Sequence, residues 1–534
     1  MRSPLRVAVS MSGGSSLGAY HAGAMAALLV AVGHLHSEED LDVEIDVVGG
    51  ALAGALVAML SAYSLMEGVD PVRLLHQAWV DGVSLDLLRG REGTAPLEYE
   101  VLREHLPALL DPGAHGAEPY RESHRQPGGI VLHFALTGLQ GLTFPVAGAR
   151  TDTPVTATTW ADWKRFVLEP GGGPGQFVEP AGQAPVDAAM ASAANPGGFA
   201  PRMLDRSAER EAYEERGVSN FPDSGALWYT DGGLLQTQPL GRVMGAANLL
   251  DRDLPDDARR VVLMIDTHSE DPSSATSWSD PDFRPTWLEG VSRALAILPA
   301  QSLYDDLRRV EKANTRIGWT LQLVDALEDH LDEGAAPALR DVLKEIAAAR
   351  AGFRGDEPQR ELDRDPAEGA SARELLERCV REIAGLRGKE PVAIDVISPL
   401  VVAERKGKDV KQLLAGEFMG DFGGFLSWEL RDSDFALGYE STIGWIAEAL
   451  GELGPDADQV ERTVAAIEAR ELRSWEDAQR GEAGLGDLPL RDRARLAAMA
   501  IGASHMFAAR VLPLDRALPG PVRSAASWVR GRLR

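Results

Sequence analysis

The sequence predicts an α/β fold in which a mostly parallel sheet is covered by helices. Near the N-terminus an apolar strand enters a glycine-rich turn and a helix of small residues, and a second strand, tight turn and helix follow directly. Residues 47–66 carry no charge, which is typical of a strand and helix at the buried centre of such a domain. A chain of 534 residues with 44% hydrophobic content can bury this core and still form appended domains.

Each predicted element follows from its local pattern. The first strand, 5–11, leads into the turn 12–18 and the helix 19–32. The second strand, 42–48, ends at a glycine pair that interrupts the charge-free stretch, so we expect no transmembrane segment there. Further patterns predict a helix over 71–80, a hairpin formed by 130–137 and 142–146, a short helix over 186–194, a strand over 260–266 and a last strand over 392–397.

The chain divides into four predicted segments. These are an α/β core over 1–270, a charged helical insertion over 271–390, a return strand with a glycine- and aromatic-rich segment over 391–440, and a C-terminal helical region over 441–534. Within the insertion, 338–350 and 370–386 have the apolar spacing of amphipathic helices. The strand that follows is therefore expected to rejoin the sheet.

Composition narrows the classes of function and partner. The net charge of −27 argues against a nucleic-acid partner, because phosphate binding needs a basic surface. The single cysteine, Cys379, rules out an intramolecular disulfide and a cysteine-based metal site, and its helical context predicts a packed thiol. No secretory signal is visible, so we expect a cytoplasmic protein. The basic tail, 521–534, leaves open a peripheral contact with a membrane or an acidic partner.

The turn after the second strand carries the most informative motif. The run Gly50-Ala51-Leu52-Ala53-Gly54 has the glycine frame of a nucleophile elbow, G-x-S-x-G, with leucine at the serine position. Such a turn holds the central side chain above a helix N-terminus, where backbone N–H groups can stabilise an oxyanion. Leucine has no atom that can attack a carbonyl. Whether the chain is an enzyme is therefore open on the sequence alone.

Three motifs occur in one order and resemble the patatin-like phospholipase family, in particular bacterial patatin-related proteins. The first is Ser12-Gly13-Gly14 with the small residues 18–23, the second is the elbow at 50–54, and the last is Asp231-Gly232-Gly233. In addition, 189–199 is similar to the family's small-residue helix and its Pro-Gly-x-Phe turn. The resemblance covers about 1–270 and the strand near 395, and extends more weakly to 422–438.

The resemblance implies a three-layer α/β/α fold and a Ser–Asp dyad that acts on lipid esters, without a cofactor or a metal. It assigns the catalytic aspartate to Asp231 and the nucleophile position to Leu52. The oxyanion donors would be Gly13, Gly14 and Ala53. The chain also departs from the family in the glycine-rich loop, where Ser12 replaces the first glycine and the usual basic residue is absent.

We expect a patatin-fold pseudoenzyme that binds a lipid or acyl ligand, or a protein partner through the charged insertion or the basic tail. Because a leucine tends to be packed around, we also expect that Leu52→Ser alone does not reopen the cleft. The alternative is an active lipid acyl hydrolase in which Leu52 is an engineered change, or in which another residue attacks. The candidate substitutes are Ser12, Ser15, Ser16 and Ser192.

Overall fold

A computed structural model of the protein describes most of the chain up to residue 470. Apart from isolated positions, the described ranges are 3–88, 100–111, 126–146, 155–196, 198–251, 257–267, 287–328, 330–331, 333–350, 370–384, 394–408, 413–416 and 423–470. The basic tail at 521–534 lies outside these residues.

Eight strands of the described chain form one mixed sheet. They are β1 (Leu5–Met11), β2 (Val43–Gly50), β3 (Ile130–Val146), β4 (Val155–Leu168), β5 (Arg202–Asp205), β6 (Ala226–Thr230), β7 (Arg259–Ile265) and β8 (Ile394–Ile397). Their order is β5-β6-β3-β2-β1-β7-β8, with β4 paired to β3. The strands β3, β2, β1, β7 and β8 run parallel, whereas β4 and β6 are antiparallel to β3. The predicted return of the last strand to the sheet is confirmed, since β8 pairs with β7.

Helices cover both faces of the sheet, as the three-layer prediction requires. They are α1 (Gly18–Ser37), α2 (Ala53–Glu67), α3 (Pro71–His76), α4 (Leu85–Leu88), α5 (Glu100–Leu109), α6 (Gly175–Val178), α7 (Pro185–Ser192), α8 (Arg210–Glu215), α9 (Leu240–Leu250), α10 (Trp287–Glu328), α11 (Ala336–Arg350), α12 (Ala372–Ile383), α13 (Leu400–Lys406), α14 (Trp428–Ala449) and α15 (Ala457–Glu468). On β1, Val7 and Val9 face the core shared with α1 and α2, while Ala8 faces α9 and α10. Burial on both faces explains why β1 is almost continuously apolar.

The helix α1 is the central helix of one layer and is crossed closely by α14. A Cβ atom on Gly23 would lie 1.8 Å from the carbonyl oxygen of Phe435, and one on Gly438 would lie 2.0 Å from that of Tyr20. Only glycine permits this approach. By length and composition α1 could cross a membrane, yet 94% of its most apolar window is buried inside the protein, as in a core helix.

The predicted hairpin at 130–146 is wrong. The structure has one strand there, β3, which pairs along its length with β4. The register shifts between Thr137 and Leu142, and Gly141 has a φ of 74°. Residues 138–141, which separate the two predicted hairpin strands, therefore form an irregularity within one continuing strand.

The insertion and the C-terminal region are helical where the structure describes them. The helices α11 and α12 confirm the two amphipathic patterns, and Cys379 is buried between them with its Sγ 3.6 Å from the carbonyl oxygen of Leu339. The boundary expected at 440/441 falls inside α14. The four-segment division otherwise stays a prediction.

Candidate functional site

The three sequence motifs meet at one end of the sheet. The glycine-rich loop follows β1 and the elbow follows β2, and these parallel strands pair from Leu5 to Met11 with one register shift between Val7 and Ala8. Asp231 follows β6, which reaches the same region through its pairing with β3. Carboxyl ends of neighbouring parallel strands lie at one edge of a sheet, and sites of α/β proteins form there.

The glycines of the elbow are required by close contacts. A Cβ on Gly50 would lie 2.3 Å from the carbonyl group of Gly54, and one on Gly54 would lie 2.7 Å from the carbonyl oxygen of Ser12. The Ala51 N–H donates to the carbonyl of Met11. The turn is therefore packed against the glycine-rich loop. A side chain at Gly54 would separate the two, and a side chain at Gly50 would clash within the elbow itself.

Leu52 has the backbone conformation of an elbow residue. It lies immediately before α2 with φ 52° and ψ −127°, a region that a leucine adopts only under strain of about 1–3 kcal/mol. Its N–H donates to the Ser192 hydroxyl oxygen at 3.2 Å. The surrounding structure thus enforces the turn although the side chain carries no nucleophile.

The Leu52 side chain fills the space in front of the loop. Its Cδ1 would lie 2.3 Å from a Cβ on Gly13 and 2.7 Å from a Cβ on Gly233. The side chain is half-buried. The leucine side chain fits because Gly13 and Gly233, which flank it in space, have no side chains.

Asp231 lies beside the same glycine. Its Oδ1 accepts a hydrogen bond from the Gly233 N–H at 2.7 Å and would be 3.1 Å from a Cβ on Gly233. The two sequence-predicted residues, Leu52 and Asp231, are therefore brought together on Gly233. Asp231 is only 3% exposed, and this burial raises the pKa of its carboxyl to about 7, against the opposing effect of the Gly233 N–H. An aspartate with this pKa could accept a proton near neutral pH.

The expected oxyanion donors differ in their availability. The Gly13 N–H donates to the Thr237 carbonyl at 3.0 Å, so it is not free to face an oxyanion in this structure. The N–H groups of Gly14 and Ala53 donate to no acceptor among the described residues. Sequence reasoning missed the acceptor Thr237, because nothing local marks a residue whose carbonyl meets a loop more than two hundred positions away.

The candidate substitute nucleophiles have structural partners. Ser12 Oγ is 3.1 Å from Nε2 of His21, whose Nδ1 is 3.1 Å from the Leu17 carbonyl oxygen. Ser16 accepts a hydrogen bond from the Gly424 N–H, and Ser192 accepts one from Leu52. Ser12, Ser16 and Ser192 are fully buried, and Ser15 is half-buried.

An apolar cavity of about 190 Å³ lies beside the elbow helix α2. Its wall includes the Trp79 side chain, whose ring atoms would lie 2.4 Å from a Cβ on Gly18, where the Ala53 Cβ is also close. Neither Leu52 nor Asp231 lines the cavity. The cavity is therefore separate from the residues at the nucleophile and aspartate positions, although Trp79 packs near the start of α2.

No group of three or more His, Cys, Asp or Glu side chains within the described ranges could hold a metal ion. The arrangement is thus a buried acid next to a glycine-rich loop and a strained turn, with an alkyl side chain at the centre. Chemically it offers a base and backbone donors, but no group at position 52 that can attack.

Comparison with known proteins gives a family for this part of the chain. The model of the patatin-like phospholipase family matches residues 9–244, an interval that contains all three motifs. Among solved structures, the crystal structure of VipD from Legionella pneumophila is 12% identical over 89% of this chain and 93% of that one, at a TM-score of 0.20. That score is too low to carry an argument, and a search of curated proteins found no match. Residues 9–244, somewhat less than half of the chain, therefore form a patatin-like phospholipase domain.

Proposed function

We propose that this chain binds an acyl lipid through its patatin-like domain without hydrolysing it. One observation carries the proposal: Leu52 occupies the nucleophile position of the elbow, and its side chain fills the space between Gly13 and Gly233. The chemistry of the family indicates a lipid as the ligand. The leucine at the nucleophile position prevents attack on its ester.

The missing step can be stated in chemical terms. In a Ser–Asp dyad the hydroxyl attacks the ester carbonyl, the carboxylate takes the proton, and N–H groups stabilise the oxyanion. Here Asp231 could take a proton and Gly14 could donate a hydrogen bond, but no lone pair at position 52 can form the acyl bond. Loss of the nucleophile costs about 10⁶-fold in turnover in serine hydrolases.

A lipid is favoured over a protein as the ligand because of the cavity beside α2. Its volume of about 190 Å³ exceeds the roughly 150 Å³ of an engineered apolar cavity that binds benzene. A cavity of this size and character suits an alkyl chain. The charged insertion remains the alternative surface for a protein partner.

The proposal is tested with a fluorophosphonate probe and a short-chain ester, p-nitrophenyl butyrate. The natural chain should show neither labelling nor turnover. Leu52→Ser should gain slow labelling, because the elbow backbone is retained and Asp231 is adjacent, and Leu52→Ser with Asp231→Asn should lose the gain. The sequence alone favoured no gain; the half-buried position of Leu52 and its strained elbow conformation shift the expectation. Ester turnover by the natural chain that Asp231→Asn abolishes would overturn the proposal.

A second candidate function is acyl hydrolysis by Ser12. It is favoured by the contact of Ser12 with His21, in which the Leu17 carbonyl can orient the imidazole so that Nε2 accepts the serine proton. It is disfavoured because both side chains are completely buried, so an ester carbonyl has no path to the hydroxyl. Turnover by the natural chain that Ser12→Ala removes would establish this alternative.

A further inference from the structure

The cavity beside α2 has an apolar interior and a polar mouth. Its interior is formed by buried side chains of α2 and α7, including Leu60 and Met190. Its exposed lining residues are Gln77, His105 and Ala108, which therefore mark the mouth. No Asp, Glu, Lys or Arg side chain of the described residues lines it. Such a lining suits a molecule with a hydrocarbon part inside and a polar part at the surface.

The volume sets the length of the hydrocarbon part. A group of water or methylene size takes about 30 Å³, so 190 Å³ holds a chain of about six carbons. The volume of the cavity is too small for two chains of that length. A single unbranched acyl chain is therefore the hydrocarbon that fits.

The mouth favours a head group without a negative charge. The Gln77 side-chain amide hydrogen-bonds to no described residue, so it can donate to an oxygen of a ligand. Asp81 ends the same turn, Gln77–Asp81, and Glu104 precedes His105; both acids are exposed. With a net charge of −27 for the whole chain, these acids oppose a carboxylate at the mouth.

We infer that the cavity binds a neutral lipid with one acyl chain, such as a monoacylglycerol, with the chain inside and the head group at Gln77 and His105. The inference rests on the proposed binding function and specifies its ligand. Because neither Leu52 nor Asp231 lines the cavity, the ester of the bound lipid lies away from the elbow. The lipid is held beside the site where the family would cleave it.

Calorimetric titration of the full chain with monoacylglycerols below their micellar concentrations tests the inference. From butanoyl to hexanoyl glycerol, the affinity should rise about fourfold per added methylene, and it should level off from octanoyl glycerol onward, because the longer chains no longer fit. Octanoate should bind more weakly than monooctanoylglycerol at low salt, with the gap narrowing at high salt. Saturable one-site binding with this profile supports the inference, whereas equal or tighter binding of octanoate at low salt overturns it.

Three variants locate the binding. Ala108→Trp should block the mouth and abolish binding, while Ala212→Trp, at an exposed alanine of α8 that does not line the cavity, should leave it unchanged. Gln77→Leu should weaken binding about fivefold through loss of one hydrogen bond. Circular dichroism of each variant checks its fold. No saturable binding by the natural chain, or undiminished binding by Ala108→Trp, would overturn the inference. Release of octanoate during the titration would instead contradict the proposed lack of hydrolysis.

Discussion

Asp231→Asn should stabilise the folded protein, and the gain should grow with pH. The substitution replaces a buried carboxyl with a neutral amide of nearly the same shape. The asparagine oxygen can still accept the hydrogen bond from the Gly233 N–H, so the local geometry has no reason to change. The variant therefore isolates the effect of ionising an acid that is only 3% exposed.

The magnitude follows from the pKa of Asp231, which burial raises from 3.8 to about 7. Between these values the folded state holds a proton that the unfolded state has released. The stability contributed by this carboxyl is thus fully present below pH 3.8 and is lost as the pH rises through about 7. At about 1.36 kcal/mol per pKa unit, the asparagine variant should be more stable by about 2 kcal/mol at pH 5 and about 4 kcal/mol at pH 8.

Urea denaturation followed by circular dichroism at pH 5 and pH 8 measures this difference. Asp223→Asn, at an exposed position, is the matched control and should change the free energy of unfolding by less than about 0.5 kcal/mol at either pH. The reasoning is refuted if the gain from Asp231→Asn is the same at both pH values, or if the variant is the less stable protein at pH 8.

Three further predictions concern position 52. Leu52→Gly should be more stable than Leu52→Ala by about 1 kcal/mol or more, because both variants lose nearly the same packing and only glycine adopts φ 52° without strain. Urea midpoints in the opposite order would mean that the backbone at this position is not strained. Gly13→Ala should lower the free energy of unfolding by about 1–3 kcal/mol, because the new methyl group overlaps Leu52 Cδ1, and adding Leu52→Ala should recover most of that loss. Additive effects in the double-mutant cycle would show that Leu52 does not fill the space in front of Gly13. Hydrolysis of p-nitrophenyl butyrate by Leu52→Ser should rise with pH through about 7, as Asp231 becomes a base; a flat profile would exclude that role.

The position of the site could be predicted because its motifs contain glycines at positions where any side chain would clash with a neighbour. Gly50 and Gly54 are fixed by contacts within the elbow and with the neighbouring loop, and a Cβ on Gly232 would lie 2.0 Å from the Ala135 carbonyl oxygen. Local sequence is enough to recognise such positions. Thr237 as the acceptor for Gly13, and Trp79 as the cavity wall, depend on distant packing and leave no local pattern.

The strand β4 shows why part of the sheet escaped prediction. Its alternation places Asp162 and Lys164 inward, where strand patterns call for apolar residues. Asp162 Oδ2 accepts hydrogen bonds from the hydroxyls of Tyr213 and Tyr229 and from Arg206. Burial of a charge is tolerated when it is paired and hydrogen-bonded in this way. The polar side chains of β4 can therefore face inward, because residues from other segments of the chain pair with them.

The close crossing of α1 and α14 has a practical consequence for producing this protein. Residues 9–244 carry the family match, but the helix that packs on Gly23 begins at Trp428. A shortened chain ending near residue 270 would leave one side of α1 uncovered and would lack the strand that pairs with β7. We expect such a chain to aggregate when expressed. We therefore expect the interval needed for a folded protein to be longer than the interval that matches the family model.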